Sequence, residues 1–309
     1  MTDIVVSEFM DQAAIDWLKA RFAVAYEPGL VDDRDRLLAA GPGARGLIVR
    51  NRTQVDQALL AAFPDLRAVG RLGVGLDNID AGACRDRGIA VLPANGGNTV
   101  SVAEYVIAAV LILRRGAYHA SDAVLAGDWP RQRLIGGEVS GATLGLVGYG
   151  AIARATAERA RALGMVIAAH DPFLSAGDPA WAGATRHDSL DTLLAEADAV
   201  SLHVPLTPQT RALIDAGRLA RMRPGAILVN TARGGVVDET ALADALRAGR
   251  LGGAAIDVFA EEPLQAGSTL AGAPNLIATP HIAGVTRDSN DRISRMTAEN
   301  VAHALGAVI

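Results

Sequence analysis

The stretch T-L-G-L-V-G-Y-G-A-I-A at residues 143–153, followed by an amphipathic run and then V-I-A-A-H-D-P-F at residues 166–173, decides the fold of this chain. Leu144 to Val147 reads as a buried strand entering the turn Gly148-Tyr149-Gly150. A helix of about 14 residues follows, and a second apolar strand ends on Asp171. Strand, glycine turn, helix, strand and acid in that register form a dinucleotide-binding βαβ unit. Gly148 permits the tight turn, Gly150 lets the backbone approach a pyrophosphate, and Ala153 stands in for the third glycine. The N–H groups at the start of the helix, around Ala151 and Ile152, would receive the phosphates, because the helix dipole favours negative charge there. Asp171 lies about 20 residues further on, where a carboxylate accepts both ribose hydroxyls of NAD and repels the extra phosphate of NADP. No Arg or Lys follows in Pro172 to Ser175 to receive that phosphate, so the expected cofactor is NAD.

Working outward, strands and helices alternate from the first residues. Strands are expected at 4–7, 23–26, 46–49, 68–72 and 90–92, with helices at 11–21, 32–40, 55–62 and 80–87. The turn formers Pro93 to Asn98 read as a hinge, and a long apolar helix from Thr99 to Arg115 reads as an interdomain or interface helix. Beyond the nucleotide unit come helix 190–196, strand 199–203, a helical region at Leu213, strand 226–230, helix 239–248, strands 253–257 and 276–278, and a closing helix 289–305. The expected fold is α/β, with two doubly wound parallel-sheet domains and a cleft between them. A flavodoxin-like substrate domain takes residues 1–97 plus 285–309, and a Rossmann NAD domain takes 98–284.

Composition agrees. Half the residues are apolar but only 4% are aromatic, which suits closely packed helices on parallel sheets. A net charge of −5 without a basic run argues against nucleic acid as a partner. The apolar segment Val106 to Leu113 is too short to span a bilayer, and Met1 to Val6 reads as a strand, not as a signal peptide. Cys84 is the only cysteine, so no intrachain disulfide can form and the expected compartment is the cytoplasm. No set of Cys, His and carboxylates has metal-ligand spacing, so no metal is expected.

Four more segments fall at strand ends, where open α/β sheets place their ligands. They are V-N-T-A-R-G-G at 229–235, A-I-D-V-F-A-E-E-P-L at 255–264, A-T-P-H-I-A-G at 278–284 and G-V-G-L-D-N-I-D at 73–80. A guanidinium in the first can pair with a carboxylate and polarise a carbonyl. An imidazole in the third can exchange a proton near neutrality, and a carboxylate beside it would hold its tautomer and favour the protonated ring.

In this order and spacing the motifs resemble the D-isomer-specific 2-hydroxyacid dehydrogenases over essentially the whole chain. That resemblance implies Arg233, Glu262 and His281 as the catalytic set, with Glu262 preferred over Glu261 because it directly precedes Pro263. It implies cofactor contacts from Gly148, Gly150, Ala151, Ile152, Asp171, Pro205, Thr231, Ala232, Arg233, Asp257, His281 and Gly284. Asp257 is expected to face the nicotinamide carboxamide, while His203 is open between a structural and a cofactor-lining role. The N–H groups of Val74 and Gly75 would bind the substrate carboxylate. The reaction implied is interconversion of a D-configured 2-hydroxy acid and its 2-oxo acid with NAD, by a homodimer. An NAD(H)-sensing, corepressor-like binding protein is the reading from another class, and turnover would separate the two.

The substrate's tail is addressed by Arg50 and Arg52, in the loop after a first-domain strand. Similar phosphoglycerate dehydrogenases place a substrate-binding Arg at the position of Arg50. Ser7 to Asp11, Arg50 to Val55 and Arg114 to Tyr118 are most similar to family members that act on (S)-3-sulfolactate and 3-sulfopyruvate. Sulfur outranks the carboxyl carbon in the naming rules, so the D-like arrangement of that acid carries the label S. D-3-phosphoglycerate is the alternative, although a chain ending at Ile309 would leave no room for the regulatory domain many of its dehydrogenases carry. Leu125 to Arg133 looks like an insertion that could bring Trp129, Arg131 or Arg133 to a neighbouring subunit's site.

Overall fold

A computed structural model of the chain describes residues 2–307, and these divide into two compact units. One unit runs to Asn98 and resumes at Val285; the other is Thr99–Gly284.

The first unit opens with β1 (Ile4–Val6), α1 (Gln12–Lys19), β2 (Val24–Tyr26), α2 (Arg34–Ala39) and β3 (Gly46–Val49). It continues with α3 (Gln57–Ala62), β4 (Ala68–Arg71), α4 (Ala81–Asp86) and β5 (Ala90–Pro93). The strands form a parallel sheet in the order β2-β1-β3-β4-β5. Strands β1 and β3 are buried along their length, as a sheet covered on both faces requires. Each of the four helices begins at an aspartate (Asp11, Asp33, Asp56 and Asp80) whose carboxylate accepts a first-turn N–H.

The second unit starts with α5 (Thr99–Arg115) and the short α6 (Ser121–Leu125). Then come β6 (Thr143–Val147), α7 (Ala151–Ala162), β7 (Val166–His170), β8 (Thr185–Arg186), α8 (Leu190–Glu196) and β9 (Ala199–Leu202). It closes with α9 (Ala216–Arg221), β10 (Ile227–Asn230), α10 (Glu239–Arg247), β11 (Gly253–Ile256) and β12 (Leu276–Ala278). The sheet is parallel, in the order β12-β11-β10-β9-β6-β7-β8. Finally α11 (Arg287–Ala304) returns to the first unit, where Ile293, Ala298, Val301 and Ala302 join the core formed by Ile4, Val6, Ile15 and Ile48.

Both sheets are doubly wound, and each reverses its strand order at one point, between β1 and β3 in the first and between β6 and β9 in the second. Ligands of such sheets bind beyond the carboxyl ends of the strands at those points.

Several local expectations need correction. The helix expected from Val55 starts at Gln57, because Val55 pairs with Ile79 in an isolated bridge and Asp56 caps the helix. Leu213 lies in a turn: Ile214 bridges to Val237, and Asp215 caps a helix that begins at Ala216. Strand β8 was not expected; its two residues are exposed at the sheet edge and carry no apolar pattern. The expected helix of about 14 residues after Gly150 has 12. Helix α5 buries Val102, Ala103, Val106, Ala109, Val110 and Leu113. Val106, Ala109, Val110 and Leu113 share a core with Leu144 and Leu146 of β6 and Ala153 and Ala157 of α7, inside the second unit.

Candidate active site

At the β6–β9 reversal, Gly148 has φ +82°, and a Cβ there would lie 2.7 Å from the carbonyl oxygen of His203. Glycine is required by both the angle and the approach. The next residue, Tyr149, is buried and stacks on Trp181 with ring centroids 5.2 Å apart. Its N–H donates to Asp171 Oδ2 at 2.8 Å, while the Phe173 N–H donates to Oδ1 at 2.9 Å. Asp171 thus fixes the turn from the end of β7, and its remaining lone pairs suit ribose hydroxyls.

Gly150 is the N-cap of α7 and offers no side chain to the first N–H groups, and a Cβ there would meet nothing within 4 Å. Ala151 and Ile152 open the helix, and Ala153 is buried against the sheet, which accounts for a small residue in place of the third glycine. Two polar atoms nearby in the fold are buried without a partner among the described residues, His203 Nε2 beyond β9 and Thr231 Oγ1 beyond β10. A buried polar atom left unpaired is costly. An uncapped helix start, open space above Gly150 and two orphaned polar atoms fit a dinucleotide with phosphates, hydroxyls and an amide to place. Burial pulls the His203 imidazole down to about 4, so the ring is neutral around pH 7. Pro205, two residues on, is exposed.

The Arg233 turn is shaped by Asn230, a buried residue. Its Oδ1 accepts the Ala232 N–H at 3.1 Å, and its Nδ2 donates to the Arg233 carbonyl at 3.0 Å. The guanidinium donates from Nη1 to the Ala232 carbonyl at 2.7 Å. Beside it, a Cβ on Gly234 would sit 1.7 Å from the Phe259 carbonyl oxygen, so the turn is in backbone contact with the loop after β11.

That loop carries Glu262. Its Oε1 accepts the Phe259 N–H at 3.0 Å, and its Oε2 lies 2.8 Å from His281 Nδ1. The hydrogen bond to Nδ1 orients the ring and leaves Nε2 as its other face; the imidazole side chain is 49% exposed. His281 has φ +53°, a left-handed conformation that is uncommon for residues other than glycine.

Asp257 imposes it. Its backbone carbonyl accepts the His281 N–H at 2.8 Å. Its carboxylate, on a residue only 1% exposed, accepts from Thr279 Oγ1 (2.6 Å), the Ile282 N–H (2.8 Å) and the Ala283 N–H (2.9 Å). The Tyr105 hydroxyl of α5 meets Thr279 Oγ1 at 2.6 Å, and burial raises that phenol's pKa and keeps it protonated. Asp257 therefore builds the His281 loop, a task its place in the motif did not reveal. Gly284 ends the same loop and the second unit.

In the first unit, Val74 is exposed and Gly75 half-buried in the turn after β4. The two arginines after β3 differ in their partners. Arg50 is half-buried and donates from Nη2 to Asn290 Oδ1 at 2.9 Å, whereas Arg52 is ion-paired with Asp32 on the surface. A cavity of about 460 Å³ lies here, lined by Glu8, Phe9, Asp32, Arg50, Arg52 and Asn290 among others. Trp129, Arg131 and Arg133 are exposed. Sequence reasoning missed Glu8, Asn230, Thr279, Tyr105 and Asn290. Only Asn230 had a local signal, a buried polar residue closing a strand before a glycine turn.

Among the described residues no group of three or more His, Cys, Asp or Glu could hold a metal ion, and no helix is long and apolar enough to cross a membrane.

Residues 107–283 match the family model described as D-isomer specific 2-hydroxyacid dehydrogenase, NAD binding domain. The chain is 63% identical over 306 residues to an (S)-sulfolactate dehydrogenase of Chromohalobacter salexigens, covering 99% of each. It is 38% identical to a D-3-phosphoglycerate dehydrogenase of Archaeoglobus fulgidus, covering 97% of this chain but 56% of that one, so it spans about half that relative's length. A D-lactate dehydrogenase from Aquifex aeolicus, solved with NAD and lactic acid, superposes with a TM-score of 0.82 at 29% identity, covering 98% of this chain and 95% of that one. The chain belongs to the D-isomer specific 2-hydroxyacid dehydrogenase family. It is an NAD-dependent oxidoreductase.

Proposed function

We propose that the chain interconverts (S)-3-sulfolactate and 3-sulfopyruvate with NAD. The observation that carries the substrate is the 63% identity to the Chromohalobacter sulfolactate dehydrogenase over 99% of both chains. Bound NAD or NADH would take or supply the hydride at the substrate's C2. His281 gives or takes the proton of the C2 oxygen through Nε2, with Glu262 holding Nδ1. Arg233 pairs with the substrate carboxylate and polarises the carbonyl. The Val74 and Gly75 N–H groups assist with the carboxylate, and Arg50 addresses the tail, with Arg52 held beside it by Asp32. On the cofactor side, Asp171 takes the ribose hydroxyls, the N–H groups at Ala151 and Ile152 take the pyrophosphate, and Gly148 and Gly150 allow its approach. Thr231, Ala232, His203, Pro205 and Gly284 line the rest. In this reading residues 1–97 with 285–309 form the substrate domain, and 98–284 form the NAD domain, which also supplies Arg233 and His281.

The second reading, D-3-phosphoglycerate, rests on the Archaeoglobus relative. Charge favours the sulfonate. With Arg52 paired to Asp32 and Glu8 held by backbone N–H groups, Arg50 is, among the described residues, the one cation lining the cavity whose side-chain partner is neutral, and one guanidinium suits a singly charged tail better than a doubly charged phosphate. The chain works as a homodimer in the cytoplasm in this proposal. Tyr118, Leu125, Trp129 and Ile135 are large apolar side chains left exposed, which a second copy would cover, and the single free cysteine, Cys84, fits a reducing compartment.

Oxidation of NADH with sulfopyruvate, phosphohydroxypyruvate, pyruvate and glyoxylate tests the proposal. The highest kcat/KM is expected for sulfopyruvate. A preference for phosphohydroxypyruvate would move the assignment to the second reading, and no turnover with any 2-oxo acid would favour a binding-only, corepressor-like role.

A further inference from the structure

Glu8 follows β1 and is 4% exposed, yet among the described residues no charged side chain is hydrogen-bonded to it. Its partners are four consecutive backbone N–H groups of the loop after β3. Oε1 accepts from Arg50 at 2.8 Å and Thr53 at 3.0 Å, and Oε2 from Asn51 at 3.3 Å and Arg52 at 3.2 Å. Successive N–H groups converging on one point form a concave anion site, and here the chain supplies the anion itself. Burying a carboxylate is unfavourable unless its oxygens are hydrogen-bonded, so the loop and the acid hold each other in one arrangement. The loop's far end is tied as well. Ser7 Oγ and Thr53 Oγ1 are 3.0 Å apart, and Asn78 Nδ2 donates to the Thr53 carbonyl at 2.7 Å.

The loop presents Arg50 to the 460 Å³ cavity. The side-chain partner of its guanidinium is the neutral Asn290 amide, whereas Arg52 is bound to the Asp32 carboxylate. Burial strips water from the Arg50 guanidinium and lowers its pKa, an environment in which a cation gains most from an arriving anion. Glu8 attracts the guanidinium through space, but among the described residues no hydrogen bond joins the two side chains, so the Arg50 donors are not taken by that carboxylate.

We infer that Glu8 is a positioning residue for tail recognition: its carboxylate moulds the loop of residues 50–53 and so fixes Arg50 where the anionic tail of the substrate meets it. This rests on the reading that Arg50 binds that tail. Glutamine at this position keeps the shape but presents an NH2 group to two of the N–H donors. Aspartate keeps the charge but draws it back by one methylene.

The test is steady-state kinetics of Glu8→Gln and Glu8→Asp on sulfopyruvate and on glyoxylate, which has no tail. Loss of aligned hydrogen bonds to the charged tail should lower kcat/KM for sulfopyruvate by about 10-fold or more. The change should fall in KM, with kcat, NADH affinity and glyoxylate efficiency within about 2-fold, a split that a merely structural defect would not produce. Glu8→Asp provides the comparison should Glu8→Gln fold poorly, as read by its melting temperature. Arg50→Ala separates the two ideas. If it leaves the sulfopyruvate-to-glyoxylate ratio unchanged, the tail reading and the inference both fall. If it collapses the ratio while the Glu8 variants slow both substrates equally, the role assigned to Glu8 alone is overturned.

Discussion

The two strand-order reversals place the same kind of surface, a crest of backbone N–H groups beyond parallel strands, under opposite regimes. Between β1 and β3 the N–H groups of residues 50–53 are all taken by the Glu8 carboxylate. Between β6 and β9 the helix α7 starts at a bare glycine, and His203 Nε2 and Thr231 Oγ1 have no partner among the described residues. Eight other helices in the molecule, α1 to α4 and α8 to α11, are capped by an Asp, Ser or Thr side chain. A crest that satisfies itself keeps a fixed shape and can offer side chains to a small ligand. A crest left unsatisfied gains its hydrogen bonds from a large one.

The comparison can be broken at its reactive end first. His281→Ala should lower turnover by roughly 100-fold or more, the scale of a positioned acid–base group, with NADH affinity near that of the wild type. A loss below tenfold would remove His281 from proton transfer. Next, Arg50→Ala should reduce kcat/KM for sulfopyruvate by about 10- to 150-fold through a lost charge-assisted bond. Arg52→Ala, whose exposed partner is Asp32, should cost less than about 5-fold. Equal effects of the two would mean that the loop does not distinguish its arginines.

At the other crest, Asp171→Ala should narrow the NAD over NADP preference by about 10-fold, the worth of one hydrogen bond to a charged group, in paired kcat/KM measurements. Equal wild-type efficiency with both cofactors would refute the assignment. The last effect is one of stability. The unfolded chain protonates His203 near pH 6.5, but the fold does so only near 4. The unfolded state therefore binds the extra proton between those values, and stability falls as pH drops through that window, by at most about 1.4 kcal/mol per unit. Urea titrations of wild type and His203→Asn should show a shallower pH slope in the variant, and identical slopes would mean that the ring is not held neutral.

What was legible in the sequence was local. The glycine turn, helix and Asp171 lie within one βαβ unit, and Arg233, Glu262 and His281 each sit in a short motif at a strand end. Glu8 was not legible, because its partners are more than 40 residues away along the chain and only the adjacency of β1 and β3 joins them. Asn290 reaches Arg50 across 240 positions, which no spacing rule anticipates. Helix starts were misplaced where a residue had a competing use: Val55 reads as the first apolar residue of a helix but serves a bridge to Ile79.

The close approach at Gly234 has a consequence for redesign. With no room for a methyl group between the Arg233 turn and the Phe259 carbonyl, and with Glu262 bonded to both the Phe259 N–H and His281, the Arg233 turn, the carboxylate and the imidazole all lean on one stretch of backbone at Phe259. A substitution that moves that stretch would displace all three together. If Arg50 reads the tail as proposed, a new substrate preference is to be sought in the loop after β3, which belongs to the other compact unit.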